Sequence, residues 1–243
     1  MQTTLEIITI TKDDLEGVAA TILSTKKLRA CPGVRQIIID GSEEYLQKRV
    51  MELLIEEENI DYIPQESSGI AHAFNQGINS SHADWLWFLN GRDEIHPDLD
   101  ELFFLQLLNT SQAEVIICEI EYMQTKLRCN HPSLWALWPP LYWMPHPATL
   151  IKRRLFDKYG SYSQEFKIAM DGDLWIRFFT KNIVVDMLSI PISLYDNNGI
   201  SSTDVSLVLK EADKIIIKNY PLLFKVWVQQ GSYLIKAIKR YIF

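Results

Sequence analysis

The sequence has few cysteines and no long apolar run, and both shortages narrow the classes of protein it can belong to. Its 243 residues include three cysteines, Cys31, Cys118 and Cys129, which are far apart and form no Cys-x-x-Cys pair. An odd, scattered set of cysteines is typical of a reducing compartment and argues against a disulfide framework. No uncharged apolar stretch reaches the roughly 20 residues of a membrane-spanning helix, and no basic segment of the signal-peptide type opens the chain. These features predict a cytoplasmic protein.

Two nucleotide-binding fingerprints are also missing. The sequence contains neither G-x-G-x-x-G nor G-x-x-x-x-G-K-[S/T], so dinucleotide-binding and P-loop interpretations lack their usual support. The net charge of −7 argues against a nucleic-acid partner, because phosphate backbones are bound by basic surfaces. We therefore expect no nucleic-acid binding.

Positive charge is concentrated at the end of the chain. From Lys214 to Phe243 there are six basic residues and no acidic one. Apolar residues recur at helical spacing in the same region, among them Leu223, Val226, Trp227, Leu234 and Ile238. A basic amphipathic helix is typical of proteins that lie on anionic membranes. The pattern predicts a helical tail over residues 206–243 and leaves two uses open: contact with the inner membrane face, or packing on the domain or on the second subunit of a homodimer.

Strand and helix patterns alternate in the first half of the chain. Short apolar runs at residues 5–10, 35–39, 60–63, 85–89 and 114–120 are separated by stretches with helical spacing. This alternation predicts an α/β, Rossmann-like domain over residues 1–205, with a mostly parallel sheet and helices on both faces. Further on, we expect a structured loop at 123–148, helices at 153–159 and 172–180, and a strand at 183–187.

Polar turns follow the second and the fourth predicted strands. They are Asp40-Gly41-Ser42 and Asn90-Gly91-Arg92-Asp93. Open parallel sheets bind ligands beyond the carboxyl ends of their strands, and glycine allows a ligand to approach the backbone closely. A carboxylate at this edge could bind a base, a ribose or a metal ion. Plain turns followed by helix caps would look the same.

Six segments, in this order, resemble the motifs of glycosyltransferase family 2. They are residues 7–11, 37–42, 68–78, 84–93, 146–153 and 171–177. The resemblance covers roughly residues 5–205 and implies the GT-A fold. It also implies inverting transfer of a hexosyl or N-acetylhexosaminyl group from a nucleotide-sugar donor, expected to be UDP-linked. The acceptor would be a glycan or a lipid-linked glycan in polysaccharide or cell-surface glycan assembly.

The same resemblance assigns roles to individual residues. Asp171 would be the general base, and Asp173 would cap the helix or support Asp171. The nucleotide-sugar site would include Thr11, Asp40, Asn75, Asn90, Gly91 and Arg92. Trp138 and Trp143 would line the acceptor site. Asp93 and His146 would hold Mn²⁺ or Mg²⁺.

Arg92 departs from the family pattern, which usually has an acid at this position. Either Asp93 alone holds a weaker metal, or Arg92 clamps the diphosphate itself. A third alternative is a catalytically weakened subunit that binds sugar nucleotides or serves as a scaffold. A sugar nucleotidyltransferase is a rival enzyme class, but its first strand normally leads into a glycine-rich basic loop, and Thr11-Lys12-Asp13-Asp14 is not one.

Overall fold

The computed structural model describes residues 4–129, 144–196 and 204–219. The strands are β1 (Leu5–Thr11), β2 (Val34–Asp40), β3 (Ile60–Pro64), β4 (Trp85–Phe88), β5 (Glu94–Ile95), β6 (Val115–Tyr122), β7 (Arg128–Cys129), β8 (Thr149–Lys152) and β9 (Val185–Tyr195). The helices are α1 (Leu15–Arg29), α2 (Glu44–Leu53), α3 (Ile70–Ser80), α4 (Glu101–Thr110), α5 (Arg153–Tyr159), α6 (Met170–Phe179) and α7 (Val205–Asn219). A short 3₁₀ turn covers His146–Ala148.

The strands of the described residues form one mixed sheet in the order β3-β2-β1-β4-β8-β6-β9-β5, with β7 beside β6. The pairs β2–β3, β1–β2 and β1–β4 are parallel, which confirms the predicted α/β fold in this half. Strand β8 runs antiparallel to both β4 and β6, so the other half is mixed. Thr11 pairs with Asp40 in register, so β1 and β2 end together at one edge of the sheet.

Helices cover both faces of the parallel half, as the alternation of apolar residues predicts. Ile38 packs with Val18 of α1 and Val50 of α2 on one face. Its neighbours in β2, Ile37 and Ile39, point to the opposite face and pack with Ala73 of α3. Helix α3 approaches β1 closely, because a Cβ added to Gly77 would lie 2.5 Å from the Ile8 side chain.

Strand β9 is longer than the strand predicted at 183–187. It runs on through Pro191, which pairs with Glu119 where the register between β6 and β9 shifts. Proline has no N–H to donate, and such irregular points of a sheet are where it is tolerated. The strand predicted from the apolar periodicity ended at residue 187, before this proline.

Helix α7 belongs to the region predicted as a tail, yet it packs against the domain. Its residue Ile215 is 3% exposed and lies in the core cluster that contains Met170 and Leu174 of α6. The predicted boundary between residues 205 and 206 thus falls at the start of a docked helix. The rest of the tail, at 220–243, lies outside the described residues, as do Trp138 and Trp143. Within the described ranges, no helix is both long and apolar enough to cross a membrane.

Candidate active site

The carboxyl ends of β1 and β4 bring two unpaired polar atoms to one edge of the sheet. Thr11 Oγ1 and Asn90 Oδ1 are both buried without a hydrogen-bond partner among the described residues. Gly91 lies directly beside Thr11, because an added Cβ would be 3.3 Å from Thr11 Oγ1. Buried polar atoms are nearly always paired in native proteins, so an unpaired one marks a place for water, an ion or a ligand.

Asp40 stands at the end of β2 and is fully buried. Its Oδ1 accepts the Ser42 N–H at 2.8 Å, and its Oδ2 accepts the Tyr62 hydroxyl at 3.0 Å. These bonds fix the turn after β2. The predicted contact between Asp40 and a nucleobase therefore uses a carboxylate that already holds this turn, and it stays a prediction.

The turn that follows β4 is anchored on two sides. Gly91 N–H donates to the Ile10 carbonyl of β1, and Arg92 N–H donates to the Gly17 carbonyl of α1. Arg92 has a φ of +79°, which is uncommon for a residue with a side chain. Such strained positions persist only where the surroundings hold them, and they cluster at functional sites.

The Arg92 side chain is held by an acid that the motif comparison did not include. Its guanidinium binds Asp14 in a bidentate pair, through Nε to Oδ2 and through Nη2 to Oδ1 at 2.9 Å. Asp14 also caps α1 by accepting the Gly17 N–H at 3.0 Å. A side chain at position 17 would collide with both partners, so the pair needs a glycine there. Asp14 thereby orients Arg92 while leaving it 52% exposed.

Asp93, next in the chain, is buried and faces backbone. Its Oδ1 accepts the Asp196 N–H at 3.2 Å, and the Thr21 hydroxyl lies 2.8 Å from its main-chain oxygen. Burial raises the pKa of Asp93 to about 8, and the backbone hydrogen bonds at Asp196 and Asn90 oppose this rise only in part.

The described residues around this turn form no cluster of metal-binding side chains. No three His, Cys, Asp or Glu side chains of the described residues lie close enough to hold a metal ion. The assignment of Mn²⁺ or Mg²⁺ to Asp93 and His146 stays a prediction, and we assign no step to a metal.

His146 lies in an aromatic cluster beside α6. Its Nε2 is 2.7 Å from the Tyr162 hydroxyl, and its ring contacts Phe74, Phe88 and Trp175. Burial lowers the pKa of His146 to about 4, so the ring is neutral at physiological pH.

Asn75 supports this cluster from α3. Its Oδ1 accepts the Tyr162 N–H at 2.9 Å, and its Nδ2 donates to the Tyr162 carbonyl at 2.8 Å. Its predicted role at the donor diphosphate stays a prediction, and in this structure it fixes the backbone of Tyr162.

Asp171 is the second residue of α6 and is half-buried. Its Oδ1 accepts the Gly172 N–H at 2.7 Å. Burial raises the pKa of Asp171 to about 6, above the usual range of an aspartate. Burial raises the pKa of Tyr162 well above its usual value, and the negative charge of Asp171 adds to this rise. A carboxylate with a pKa near neutrality suits general base catalysis.

Asp173 is fully buried and pairs with Arg177, four residues further along the same helix. Asp173 Oδ2 accepts the Arg177 Nε–H at 2.8 Å. Arg177 also donates to the carbonyls of the loop before Tyr162, those of Tyr159, Gly160 and Ser161. The pair ties α6 to this loop.

Sequence reasoning missed Asp14 and Tyr162, and the structure gives both a place in the site. Asp14 lies 78 residues from Arg92, and Tyr162 lies 87 residues from Asn75. Each had only a weak signal: an acid directly before a helix for Asp14, and a tyrosine between two predicted helices for Tyr162.

The fold and the family match define a class of protein, the GT-A glycosyltransferases. The model of glycosyl transferase family 2 matches residues 6–175, and the chain belongs to this family. It is therefore a glycosyltransferase.

Relatives carry the same assignment. An uncharacterised glycosyltransferase of Mycobacterium tuberculosis, Rv1514c, is 28% identical over 211 residues, which are 82% of this chain and 77% of the relative. The uncharacterised glycosyltransferase RP339 of Rickettsia prowazekii is 27% identical over 156 residues, covering 59% of this chain and 48% of its own length.

Solved structures share the fold. Residues 1–349 of TarS from S. aureus superpose with a TM-score of 0.69, covering 92% of this chain and 68% of that fragment, at 12% identity. The same TarS fragment has been solved in complex with UDP and with UDP-GlcNAc.

Proposed function

We propose that the chain transfers a sugar from a UDP-linked donor to a hydroxyl group of a glycan or lipid-linked acceptor, with inversion at the anomeric carbon. Asp171 takes the proton of the acceptor hydroxyl as its oxygen forms the new bond to the anomeric carbon. UDP leaves from the opposite face with the electron pair of the broken bond. The observation that carries this proposal is a half-buried Asp171 with a pKa near 6 at the start of α6.

The donor is proposed to lie across the carboxyl ends of β1 and β4. The unpaired Thr11 Oγ1 and Asn90 Oδ1 support this position, as does the TarS fragment solved with UDP-GlcNAc, which shares the fold. Arg92 meets the diphosphate and stabilises the charge that develops on it. Asp14 uses two of the five guanidinium N–H groups, so the others remain for phosphate oxygens.

Calorimetric titration with UDP-, GDP- and dTDP-sugars, each with Mn²⁺, with Mg²⁺ and with EDTA, tests the donor. We expect UDP-sugars to bind and the binding to persist in EDTA. Failure of every nucleotide to bind would contradict the proposal. Binding of a donor that no acceptor or water ever turns over would favour the alternative, a scaffold subunit.

Arg92→Ala should weaken UDP binding about 10- to 100-fold, since a hydrogen bond to a charged group contributes about 1.5–3 kcal/mol. Arg35→Ala is the matched control. Arg35 has the same exposed fraction as Arg92, 52%, and also pairs with an aspartate, Asp61. It lies near the start of β2, at the amino ends of the parallel strands and thus opposite the proposed donor site. Equal effects of the two substitutions would overturn the role of Arg92.

The acceptor is proposed to be lipid-linked and reached at the inner membrane face, in polysaccharide or cell-surface glycan assembly. The six basic residues from Lys214 to Phe243, with no acid among them, support this. We expect the chain to sediment with anionic liposomes and to lose this binding when residues 221–243 are removed. Unchanged sedimentation of the shortened chain would contradict membrane contact through the tail.

A further inference from the structure

Helix α7 carries a buried carboxylate that binds the start of α6. Glu211 is 3% exposed. Its Oε1 accepts the Lys167 N–H at 2.8 Å, and its Oε2 accepts the N–H groups of Ile168 at 3.0 Å and Ala169 at 2.9 Å. These N–H groups directly precede α6, which begins at Met170.

This contact anchors the segment that enters α6, up to its N-cap residue Ala169. The first N–H groups of a helix have no partner within the helix, and a negative charge near them is stabilising. The N-cap residue of α6 is Ala169, whose side chain has no acceptor. Burial raises the pKa of Glu211, but the three N–H groups outweigh it and the net shift is downward. Glu211 is thus an ionised group, 42 residues further along the chain, that binds the N–H of Ala169 and of the two residues before it.

The same helix contacts α6 on the other side of Asp171. Ile215 stands one turn after Glu211 and is buried in the shared core. A Cβ added to Gly172 would lie 3.9 Å from Ile215 Cδ1, so Ile215 covers Gly172. Helix α7 therefore holds residues 167–169, which lead into α6, and contacts α6 itself at residue 172, so that its contacts lie on both sides of Asp171 in the chain.

We propose that Glu211 is a positioning residue for catalysis, which fixes the first turn of α6 and with it the direction of the Asp171 carboxylate. The inference rests on the proposed function insofar as Asp171 is the base. Helix α7, which the sequence pattern places in the tail, would then be part of the catalytic unit.

Glu211→Gln tests this with little change in shape. The amide NH₂ faces at least one N–H that the carboxylate had accepted, so the first turn of α6 loosens. We expect kcat for release of UDP from UDP-GlcNAc to fall about 10- to 100-fold, as displacements of about 1 Å do. The Kd for UDP should match that of the unchanged chain, because Glu211 positions the catalytic base and has no part in donor binding.

Glu165→Gln is the matched control. Glu165 lies on the segment that leads to α6 and also contacts α7, through Lys218, but it is 64% exposed. It should leave both kcat and Kd unchanged. The proposal would be overturned if the Glu211→Gln variant turned over UDP-GlcNAc as fast as the Glu165→Gln variant. This holds whether both variants keep the original rate or both lose the same share of it.

Hydrogen–deuterium exchange separates this inference from the proposed function. In Glu211→Gln, the amides of residues 167–175 should exchange faster than in Glu165→Gln, while β1 and β2 stay protected. Unchanged exchange at 167–175 would refute the contact whatever the activity. If Asp171→Asn leaves turnover intact, the proposed base is wrong, and the exchange comparison still decides whether Glu211 holds α6.

Discussion

The Asp171→Asn variant should lose sugar transfer, with kcat about a thousandfold lower and the affinity for UDP unchanged. Asparagine keeps the shape of the side chain but cannot take a proton, and general base catalysis typically contributes about 10²- to 10⁴-fold. The rate of UDP release and calorimetric titration with UDP measure the two quantities. The control is Asp157→Asn on α5, an exposed aspartate paired with Arg153.

The pH dependence of kcat provides a second test of this prediction. Because Asp171 must be ionised to act as the base, and its pKa is raised to about 6, kcat should rise with pH through about 6 and level off above it. The raised pKa also means that the ionised carboxylate destabilises the fold above that pH. Asp171→Asn should therefore unfold at the same or a higher temperature at pH 8. A rate that keeps its pH profile in the variant would show that another group is the base.

Arg177→Leu should lower the free energy of unfolding by about 3–5 kcal/mol, because removing one partner of a buried ion pair leaves an uncompensated charge. The charge in question is Asp173, which is fully buried. The loop carbonyls at Tyr159, Gly160 and Ser161 lose their donor at the same time. Urea unfolding measures the effect.

The control for Arg177 has the same spacing in an exposed setting. Arg153→Leu removes an i,i+4 pair with Asp157, which is 56% exposed, and should cost about 0.3–0.5 kcal/mol. Adding Asp173→Asn to Arg177→Leu should recover part of the lost stability, since it removes the buried charge. Equal costs for the two arginine variants would show that the Asp173 pair has no special role in stability.

The parallel half of the sheet was predictable because its signals are local. Runs such as residues 35–39 and the turn at Asp40-Gly41-Ser42 mark strand ends within a few residues, and helices on both faces follow from their spacing. The helix at Arg153–Tyr159 was predicted with the bounds observed.

The contacts that build the site were not predictable in the same way. Arg92 pairs with Asp14, and Asp171 follows a segment that Glu211 binds. Each partner comes from a distant part of the chain. An acidic residue before or within a helix can have several structural roles. The residue type alone therefore does not show which distant group it binds. Resemblance to the family directed attention to Arg92 and Asp171, but the groups that hold them became apparent only from the fold.

The most direct test of the donor site is a crystal structure of the chain with UDP-GlcNAc, grown without divalent metal. We predict that the nucleotide lies across the ends of β1 and β4 beside Thr11 and Asn90, with phosphate oxygens within hydrogen-bond distance of the Arg92 guanidinium. A nucleotide bound elsewhere would contradict the account. So would a complex that forms only when a cation joins Asp93 to the phosphates.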